Sequence, residues 1–198
     1  GKIFGGGDVN WDDVNHDGVI DDKDRQIVGN GAPKVVGGLN NSISFMGFTL
    51  SAFFNFSFGG DIYKRFAINN NNWVLSSITR GDPRIVAQSW IAPGDDAKYP
   101  MLYDDKVENT RATSSLWIED GSYIRLKNLK LSYDFPDKWL KHLYVKELNV
   151  YCMLQDYFTW TKYSSFDPEM AASGYNYGMD NNNYPRSKSM LIGLNLNF

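Results

Sequence analysis

Apolar and polar residues alternate in five segments of the chain, which is the pattern of β-strands with two unlike faces. The clearest segment begins at Phe48 and ends at Phe58, with apolar residues at every even position and polar residues at most odd ones. A two-residue turn, Met46-Gly47, separates it from an earlier strand at residues 34–45. An apolar stripe of this length is typical of the lipid-facing wall of a barrel, and equally of a sandwich strand buried against a second sheet.

Three further strands follow along the chain, at residues 117–135, 146–159 and 190–198. In the first of these the apolar parity changes, which predicts a β-bulge or a switch of faces near Lys127-Asn128. The connection at residues 136–145 contains three apolar residues with the spacing of a single helical turn: Trp139, Leu140 and Leu143. The pattern therefore predicts an all-β protein.

Loops of very different length connect these strands. Residues 59–116 and 161–185 carry no strong strand pattern, and a loop of ~55 residues is abnormal inside a compact soluble domain. Long extracellular loops and short periplasmic turns are normal in a transmembrane β-barrel, so the loop lengths favour the barrel over the sandwich. With the long loops outside, the last strand ends on the periplasmic side.

The predicted fold class is thus the C-terminal part of a transmembrane antiparallel β-barrel. The closing pattern, Leu194-x-Leu196-x-Phe198, is typical of the end of a bacterial outer-membrane barrel. We predict an extracellular loop with an EF-hand-like calcium motif at residues 1–33, and barrel strands with their long loops at residues 34–198.

The composition agrees with a barrel. Aromatic residues make up 15% of the chain, yet its mean hydropathy is −0.41, as expected when only alternate strand residues face lipid. No run of ~18 apolar residues exists, which excludes a transmembrane helix. The net charge of −3 argues against nucleic acid as a partner, because phosphate binding needs a basic surface. Without an initiator Met or a signal-peptide pattern, we expect the N-terminus of the parent protein to lie upstream.

Residues 13–24 carry an acidic loop with the spacing D-x-N-x-D-G and a carboxylate at the twelfth position. Calcium takes ~6–8 oxygen ligands, and Gly18 permits the sharp turn that such a loop needs. Most predicted ligands act through their side chains, one through its carbonyl and one through water: Asp13, Asn15, Asp17, Val19 (carbonyl), Asp21 (water) and Asp24. We expect a structural Ca²⁺ site, with a solvated acidic turn as the alternative.

No catalytic residues are predicted. The two histidines, His16 and His142, lie in the acidic loop and in a predicted turn, and the chain has no nucleophile elbow, zinc ligand set or phosphate loop. Paired acids lie in or beside predicted loops, where carboxylates are common. We therefore predict that the chain is not an enzyme.

Motifs in the expected order along nearly the whole chain carry a family resemblance. The segment IEDGSYIRLKN at residues 118–128 is similar to an EDGSYLRLKN strand entry, and residues 161–169 to TKY-x-G-x-DPE, with Ser165 where Gly is usual. Residues 13–33 are similar to a stretch D-x-N-x-D-G-x-I-D-x-x-D-R…G-N…P. Gly60-Asp61-Ile62-Tyr63 and residues 184–198 are similar to a step out of one strand and to the closing strand. On these motifs the chain resembles the SusC/RagA family of TonB-dependent outer-membrane transporters.

The resemblance implies a barrel of about 22 strands, plugged by an N-terminal domain that lies outside this sequence and energised through the TonB complex. It implies a SusD-like surface lipoprotein as partner, outer-membrane lipid around the barrel, a Bacteroidetes-like Gram-negative cell, and import of oligosaccharides or oligopeptides. Substrate-binding residues remain unassigned. The loop tyrosines and four tryptophans are candidate ligand or lid contacts, with interfacial or loop packing as the alternative; the tryptophans are Trp73, Trp90, Trp117 and Trp160.

One interpretation from another functional class also stays open. A secreted, calcium-stabilised β-module that binds carbohydrate or mediates adhesion would carry the same acidic loop. It would need a closed soluble core, and a reason to end on the strand that closes with Phe198.

Overall fold

The computed structural model describes residues 5–65, 83–101, 114–141, 144–169, 177–181 and 183–198. The chain divides into two compact units. The first comprises Gly1–Gly29 and Lys64–Ile118, and the second comprises Asn30–Tyr63 and Glu119–Phe198.

The described strands are numbered in chain order: β1 (Val35–Phe45), β2 (Phe48–Phe58), β3 (Asp61–Tyr63), β4 (Ile118–Asp120), β5 (Tyr123–Asp134), β6 (Glu147–Thr161) and β7 (Ser189–Asn197). Five of them form one antiparallel sheet in the order β1-β2-β5-β6-β7. Strands β3 and β4 form a separate two-stranded sheet. The structure confirms the all-β fold class, and the bounds of β1, β2, β6 and β7 lie within two residues of those predicted.

The two ends of the large sheet differ in their connections. Short connections join β1 to β2 and β5 to β6 at one end, which we call the short-turn end. The longer connections, from β2 to β5 and from β6 to β7, leave from the opposite end, which we call the long-loop end. This separation of short and long connections is the one that the sequence predicts.

The hairpin between β1 and β2 turns within two residues, Met46 and Gly47, whose φ angles are 48° and 84°. Both angles lie in the left-handed region that a type I′ turn requires, and glycine adopts it without steric cost. A Cβ atom on Gly47 would also lie 2.8 Å from the carbonyl oxygen of Asp134 in β5. The glycine therefore permits both the turn and the close approach of a neighbouring strand.

The large sheet has one apolar and one polar face. A row of directly paired residues crosses all five strands on the apolar face: Ile43, Leu50, Leu131, Cys152 and Ile192. A second row crosses the polar face: Ser44, Thr49, Ser132, Tyr151 and Gly193. Ile43 is 63% exposed and Ile192 is 76% exposed, so no second layer from the described chain covers the apolar row.

A bulge interrupts the pairing of β5 with β6 toward the long-loop end. The register shifts between Leu126 and Asn128, so that Lys127 lies outside the regular ladder. On the opposite strand, Asp156 has a φ of 53°, a left-handed conformation that residues other than glycine rarely adopt. The structure confirms the bulge predicted near Lys127-Asn128.

The predicted third strand, residues 117–135, is wrong in its first part. The chain there forms two strands, of which β4 pairs with β3 and β5 joins the large sheet. Gly121 lies between them, and its N–H donates to the carbonyl oxygen of Gly60 at 2.8 Å. A Cβ atom on Gly121 would lie 2.7 Å from Cγ1 of Ile62, so a larger residue would disturb this crossing. Periodicity does not reveal the division, because β3 and β4 have only three residues each.

The connection between β5 and β6 contains the predicted helical turn, at Asp137–Leu140. Leu140 is 2% exposed, whereas Trp139 is 60% exposed. Leu143, the third residue of the predicted pattern, lies outside the described residues. None of the described helices is long and apolar enough to cross a membrane.

The first unit contains short elements only in its described part, namely the helix Pro83–Val86 and the 3-10 turns Asp22–Asp24 and Ser115–Trp117. The N–H of Trp90 donates to the carbonyl of Tyr99 at 2.9 Å, and the N–H of Tyr99 donates to the carbonyl of Gln88 at 3.1 Å. The ring of Tyr99 stacks on Trp117 with centroids 6.1 Å apart, which buries the tryptophan.

Candidate functional site

Six charged side chains lie together on the polar face of the large sheet, toward its long-loop end. They come from β5, from β6, from the residues after β6 and from the residues before β7. We call them the ion cluster: Arg125, Lys127, Asp156, Asp167, Glu169 and Arg186. Three are basic and three are acidic, so their formal charges cancel.

Arg125 is the central residue of the ion cluster. Its Nη2 atom lies 2.5 Å from Oδ1 of Asp167, and its Nη1 atom lies 3.2 Å from Oδ2 of the same carboxylate. Two parallel contacts of this kind suit the planar guanidinium and give both strength and direction. Both residues are buried, and a buried charge is tolerated only when it is paired. Each of the two groups therefore depends on the other.

The carboxylate of Glu169 forms ion pairs with three basic residues. Its Oε2 atom lies 2.9 Å from Nη1 of Arg125 and 2.8 Å from Nζ of Lys127. Its Oε1 atom lies 3.4 Å from the guanidinium of Arg186. Lys127 also lies 3.1 Å from Oδ1 of Asp156, a distance for an ion pair although the direction is not that of a hydrogen bond. The cluster thus joins the bulge to the segment after β6.

The sequence pattern did not reveal the ion cluster. Its central pair is separated by 42 residues in sequence, and periodicity carries no information about such a pairing. One signal was available. Arg125 and Lys127 are basic residues on one face of a strand, and two acids flank Pro168 in a loop. Charged residues inside a strand need partners, but nothing in the sequence says which acids those are.

Backbone contacts join the loops at the long-loop end of the second unit. The N–H of Asp61 donates to the carbonyl of Asn30 at 2.8 Å, and the N–H of Tyr63 donates to the carbonyl of Gly178 at 2.7 Å. Gly178 has a φ of 76°, and a Cβ atom on it would lie 2.5 Å from Cα of Gly31. The absence of side chains at these two glycines is what lets the segments approach so closely.

Tyr163 makes a second buried contact in the segment after β6. Its hydroxyl donates to the carboxylate of Asp180 at 2.5 Å. Burial, together with this carboxylate, raises the pKa of the Tyr163 phenol well above its ordinary value of 10. The N–H and the hydroxyl of Ser164 donate to Glu119 at 2.8 and 2.9 Å. These contacts and the ion cluster hold residues 161–169 at several points.

The predicted calcium ligands lie in one loop of the first unit. The carboxylate of Asp13 accepts the N–H of Asp17 at 3.2 Å and that of Gly18 at 2.8 Å. Gly18 has a φ of 78°, the sharp turn that the motif needs. The carboxylate of Asp24 accepts the N–H of Val14 at 3.0 Å, so the twelfth residue closes the loop onto its second.

The other predicted ligands bond within the same loop. Asn15 and Asp21 each accept a backbone N–H, at 2.9 and 2.8 Å, and the N–H of Val19 donates to Asp17 at 2.9 Å. A carboxylate that accepts N–H groups keeps further lone pairs for a cation. Among the residues that the structure describes, no group of three or more His, Cys, Asp or Glu side chains is arranged to hold a metal ion. The carboxylates would therefore have to draw closer together around one.

The four tryptophans singled out in the sequence differ in position. Trp117 is buried in the first unit, and Trp90 lies against Gly7 in the same unit. Trp160 pairs with Ile124 on the apolar face of the sheet and stacks on Phe158 with ring centroids 6.1 Å apart. Trp73 lies outside the described residues.

No family model matches the chain. The TonB-dependent receptor P39 of Formosa agariphila is 32% identical over 201 residues, an alignment that covers 100% of this chain and 19% of that protein. The TonB-dependent receptor SusC of Bacteroides thetaiotaomicron is 28% identical over 194 residues and is covered to 17%. The chain thus spans about a fifth of the length of these curated relatives.

Solved structures give the same answer. The RagAB peptide importer in its "closed-closed" state superposes with a TM-score of 0.69 at 25% identity, over 91% of this chain and 20% of that chain. A structure of the RagAB peptide transporter has a TM-score of 0.66 at 27% identity, over 86% and 18%. The region matched belongs to the barrel of these transporters, which confirms the predicted fold class of antiparallel barrel strands. These relatives are receptors and transporters and not enzymes, in agreement with the prediction. These matches confirm the resemblance to the SusC/RagA family of TonB-dependent receptors that the sequence motifs indicate.

Proposed function

We propose that this chain forms part of the wall of an outer-membrane transporter that imports nutrients in a TonB-dependent manner. The observation that carries the proposal is the two-faced sheet, whose apolar row from Ile43 to Ile192 is uncovered by the described chain while its opposite face is polar. Leaving a large aliphatic side chain in water costs about 1.5–3 kcal/mol relative to burying it. Such a row is stable against lipid, and the polar face then lines the pore.

The substrate class proposed is an oligosaccharide or an oligopeptide. The solved neighbours are described as a peptide importer and a peptide transporter, which supports an oligopeptide as the substrate. The proposal of an oligosaccharide rests on the family resemblance of the sequence motifs. The proposed partners are a SusD-like surface lipoprotein and the TonB complex, the latter reached through a part of the protein outside this chain. The secreted adhesion module finds no counterpart among these relatives.

The test uses the full-length protein expressed in a Bacteroidetes host together with the proposed SusD-like lipoprotein. Outer-membrane fractions would be analysed for the pair, and uptake of labelled oligopeptides and oligosaccharides compared in strains with and without TonB. We expect recovery in the outer membrane and uptake that is lost without TonB. A detergent-independent soluble product, or uptake unaffected by TonB, would refute the proposal.

We further propose that the acidic loop binds Ca²⁺ as a structural ion. Support comes from the spacing of the oxygen ligands, from the left-handed turn at Gly18, and from Asp24, which already closes the loop. Asp13, Asn15, Asp17 and Asp24 would hold the ion through their side chains, Val19 through its carbonyl and Asp21 through water. The positive charge of the ion would hold the oxygen ligands of the loop together. We propose a structural role and no catalytic one, because a single loop provides all the ligands.

This site has a matched control within three residues. Asp22 is the neighbour of a proposed ligand but pairs with Arg25 at 2.9 Å on the surface instead. We expect Asp24→Asn to abolish calcium binding measured by calorimetry on the EDTA-stripped full-length protein, while Asp22→Asn binds like wild type. Equal calcium affinity of wild type and Asp24→Asn would exclude the site.

A further inference from the structure

Residues 162–169 fold over the polar face of the sheet instead of leaving it. Asp167 reaches Arg125, and Glu169 reaches Lys127, both through side chains of β5. Arg125 and Lys127 are the third and fifth residues of that strand counted from its long-loop end. At a rise of ~3.3 Å per residue, these anchor points lie roughly 7 and 13 Å below the end of the strand.

Pro168 gives an independent indication of the same fold. It is among the fully buried side chains, with a relative exposure below 2%. Together with Ser57 and Tyr123 it lines a cavity of about 20 Å³. Ser57 and Tyr123 are directly paired across β2 and β5 on the polar face. The segment therefore packs onto the face that the proposed function assigns to the pore.

Phe166 behaves differently from the residues that follow it. It is 71% exposed, whereas Asp167 is 6% exposed. Its backbone position is fixed because Asp167 and Pro168 are both buried against the sheet. An exposed aromatic ring on a fixed backbone is a surface on which flat or apolar groups bind with little loss of conformational freedom.

We propose that Phe166 contacts the substrate as it passes along the pore wall, and that Arg125 is the positioning residue that holds it there. The chemistry that Phe166 recognises is an apolar surface, either the C–H face of a sugar ring or an apolar peptide side chain. This inference rests on the proposed transport function. Its structural half, the anchoring of residues 162–169 by Arg125, stands independently of transport.

Hydrogen exchange on the full-length transporter tests the anchor. Arg125→Gln removes the two-point contact with Asp167 and leaves the acids of the cluster with two cations. Arg125→Lys keeps the positive charge, but a single ammonium group cannot form the two parallel contacts with the carboxylate of Asp167. The matched control is Lys130→Gln, a basic residue on the same face of β5 that contacts the Tyr151 ring at 4.5 Å and not the segment.

We expect the amides of residues 164–169 to exchange at least about tenfold faster in Arg125→Gln, because a charge-assisted contact of this strength is lost. Arg125→Lys should be intermediate, and Lys130→Gln should match wild type. Protection unchanged in Arg125→Gln would overturn the anchor. Loss of protection throughout the barrel would also count against it, since Arg125 would then be a general stability residue.

Uptake of labelled casein peptides and labelled partially hydrolysed starch tests the contact. We expect Phe166→Ala to raise the KM of whichever probe is imported by about tenfold, at unchanged surface level. Because Arg125 acts through Phe166, the Phe166→Ala and Arg125→Gln double variant should be no worse than Arg125→Gln alone. Additive losses, or a Phe166→Ala protein with wild-type KM, would overturn the proposal. A wild-type protein that imports neither probe would refute the proposed substrate classes and leave the exchange result standing.

Discussion

The guanidinium of Arg125 and the carboxylate of Asp167 form a two-point contact between residues 42 positions apart, with N–O distances of 2.5 and 3.2 Å. The contact matters because it is buried and because it joins a strand of the large sheet to the segment after the next strand. Asp167 also accepts the N–H of Glu169 at 3.0 Å, so the same carboxylate organises the turn that carries the second anchor.

The first prediction concerns the charge of this carboxylate. Asp167→Asn keeps the shape of the side chain but removes the buried carboxylate charge from the two-point contact, so that Glu169 at 2.9 Å becomes the nearest counter-charge of Arg125. Breaking a buried ion pair on one side costs about 3–5 kcal/mol. We expect the heat-induced mobility shift of the full-length barrel on a gel to occur at clearly lower temperature in this variant. The control is Asp134→Asn, because Asp134 is exposed at the short-turn end. Equal transition temperatures for the two variants would show that the two-point contact between Arg125 and Asp167 contributes no stability.

The second prediction concerns Tyr163 and alkaline pH. The pKa of its phenol is raised in the folded protein, so the folded state keeps a proton that the unfolded state releases above pH ~10. The stabilisation is fully present below this pH and is lost as the pH rises further. We expect the free energy of unfolding of wild type to fall more steeply between pH ~9.5 and ~11 than that of Tyr163→Phe.

The same variant has a second expected effect, at neutral pH. Tyr163→Phe removes the donor to a buried carboxylate oxygen of Asp180, which costs about 1–3 kcal/mol. Urea titrations of both proteins at pH 7 and at alkaline pH measure both effects. Parallel pH profiles for wild type and Tyr163→Phe would contradict the assignment of the buried phenol.

The third prediction compares two glycines with positive φ. Gly178 has a φ of 76°, and a Cβ atom would lie 2.5 Å from Cα of Gly31. Gly94 has a φ of 100°, and no atom of the described residues lies within 4 Å of the place that its Cβ atom would take, so alanine there meets backbone strain alone. We expect Gly178→Ala to be destabilised by about 1–3 kcal/mol more than Gly94→Ala, because backbone atoms cannot move aside cheaply. Similar unfolding midpoints for the two variants would argue against the close approach of the loops.

The strands of the large sheet were predictable because their information is local. The alternation from Phe48 to Phe58 places Phe54 and Phe56 on one face whatever lies next to them, and the parity change beside Lys127 indicates the bulge. The turn at Met46-Gly47 is indicated by its glycine, which adopts a positive φ without steric cost. These features require only the neighbouring residues in sequence, and the structure reproduces them.

The ion cluster and the close approach of the loops at Gly31 and Gly178 were not predictable, because they depend on contacts between distant segments. Nothing near Gly178 indicates that Gly31 will lie against its Cα atom, and nothing near Arg125 indicates that its partner is Asp167. The two short strands β3 and β4 were not predicted, for a related reason. Three residues are too few for periodicity, so only their pairing identifies them. The calcium site stays a prediction from spacing.

The most direct test of a membrane-spanning wall is the accessibility of two neighbouring positions in β7 of the full-length protein. Ile192 belongs to the apolar row, and Leu191 lies on the opposite face, paired with Met153. Single cysteines would be placed at each position in a cysteine-free background and treated, in outer-membrane vesicles, with a water-soluble maleimide and with a lipid-soluble quencher. We expect the water-soluble maleimide to label the cysteine of Leu191→Cys. We expect the lipid-soluble quencher to reach a fluorescent probe only when the probe is attached to the cysteine of Ile192→Cys. Efficient maleimide labelling of Ile192→Cys with no quenching from lipid would contradict a membrane-spanning wall.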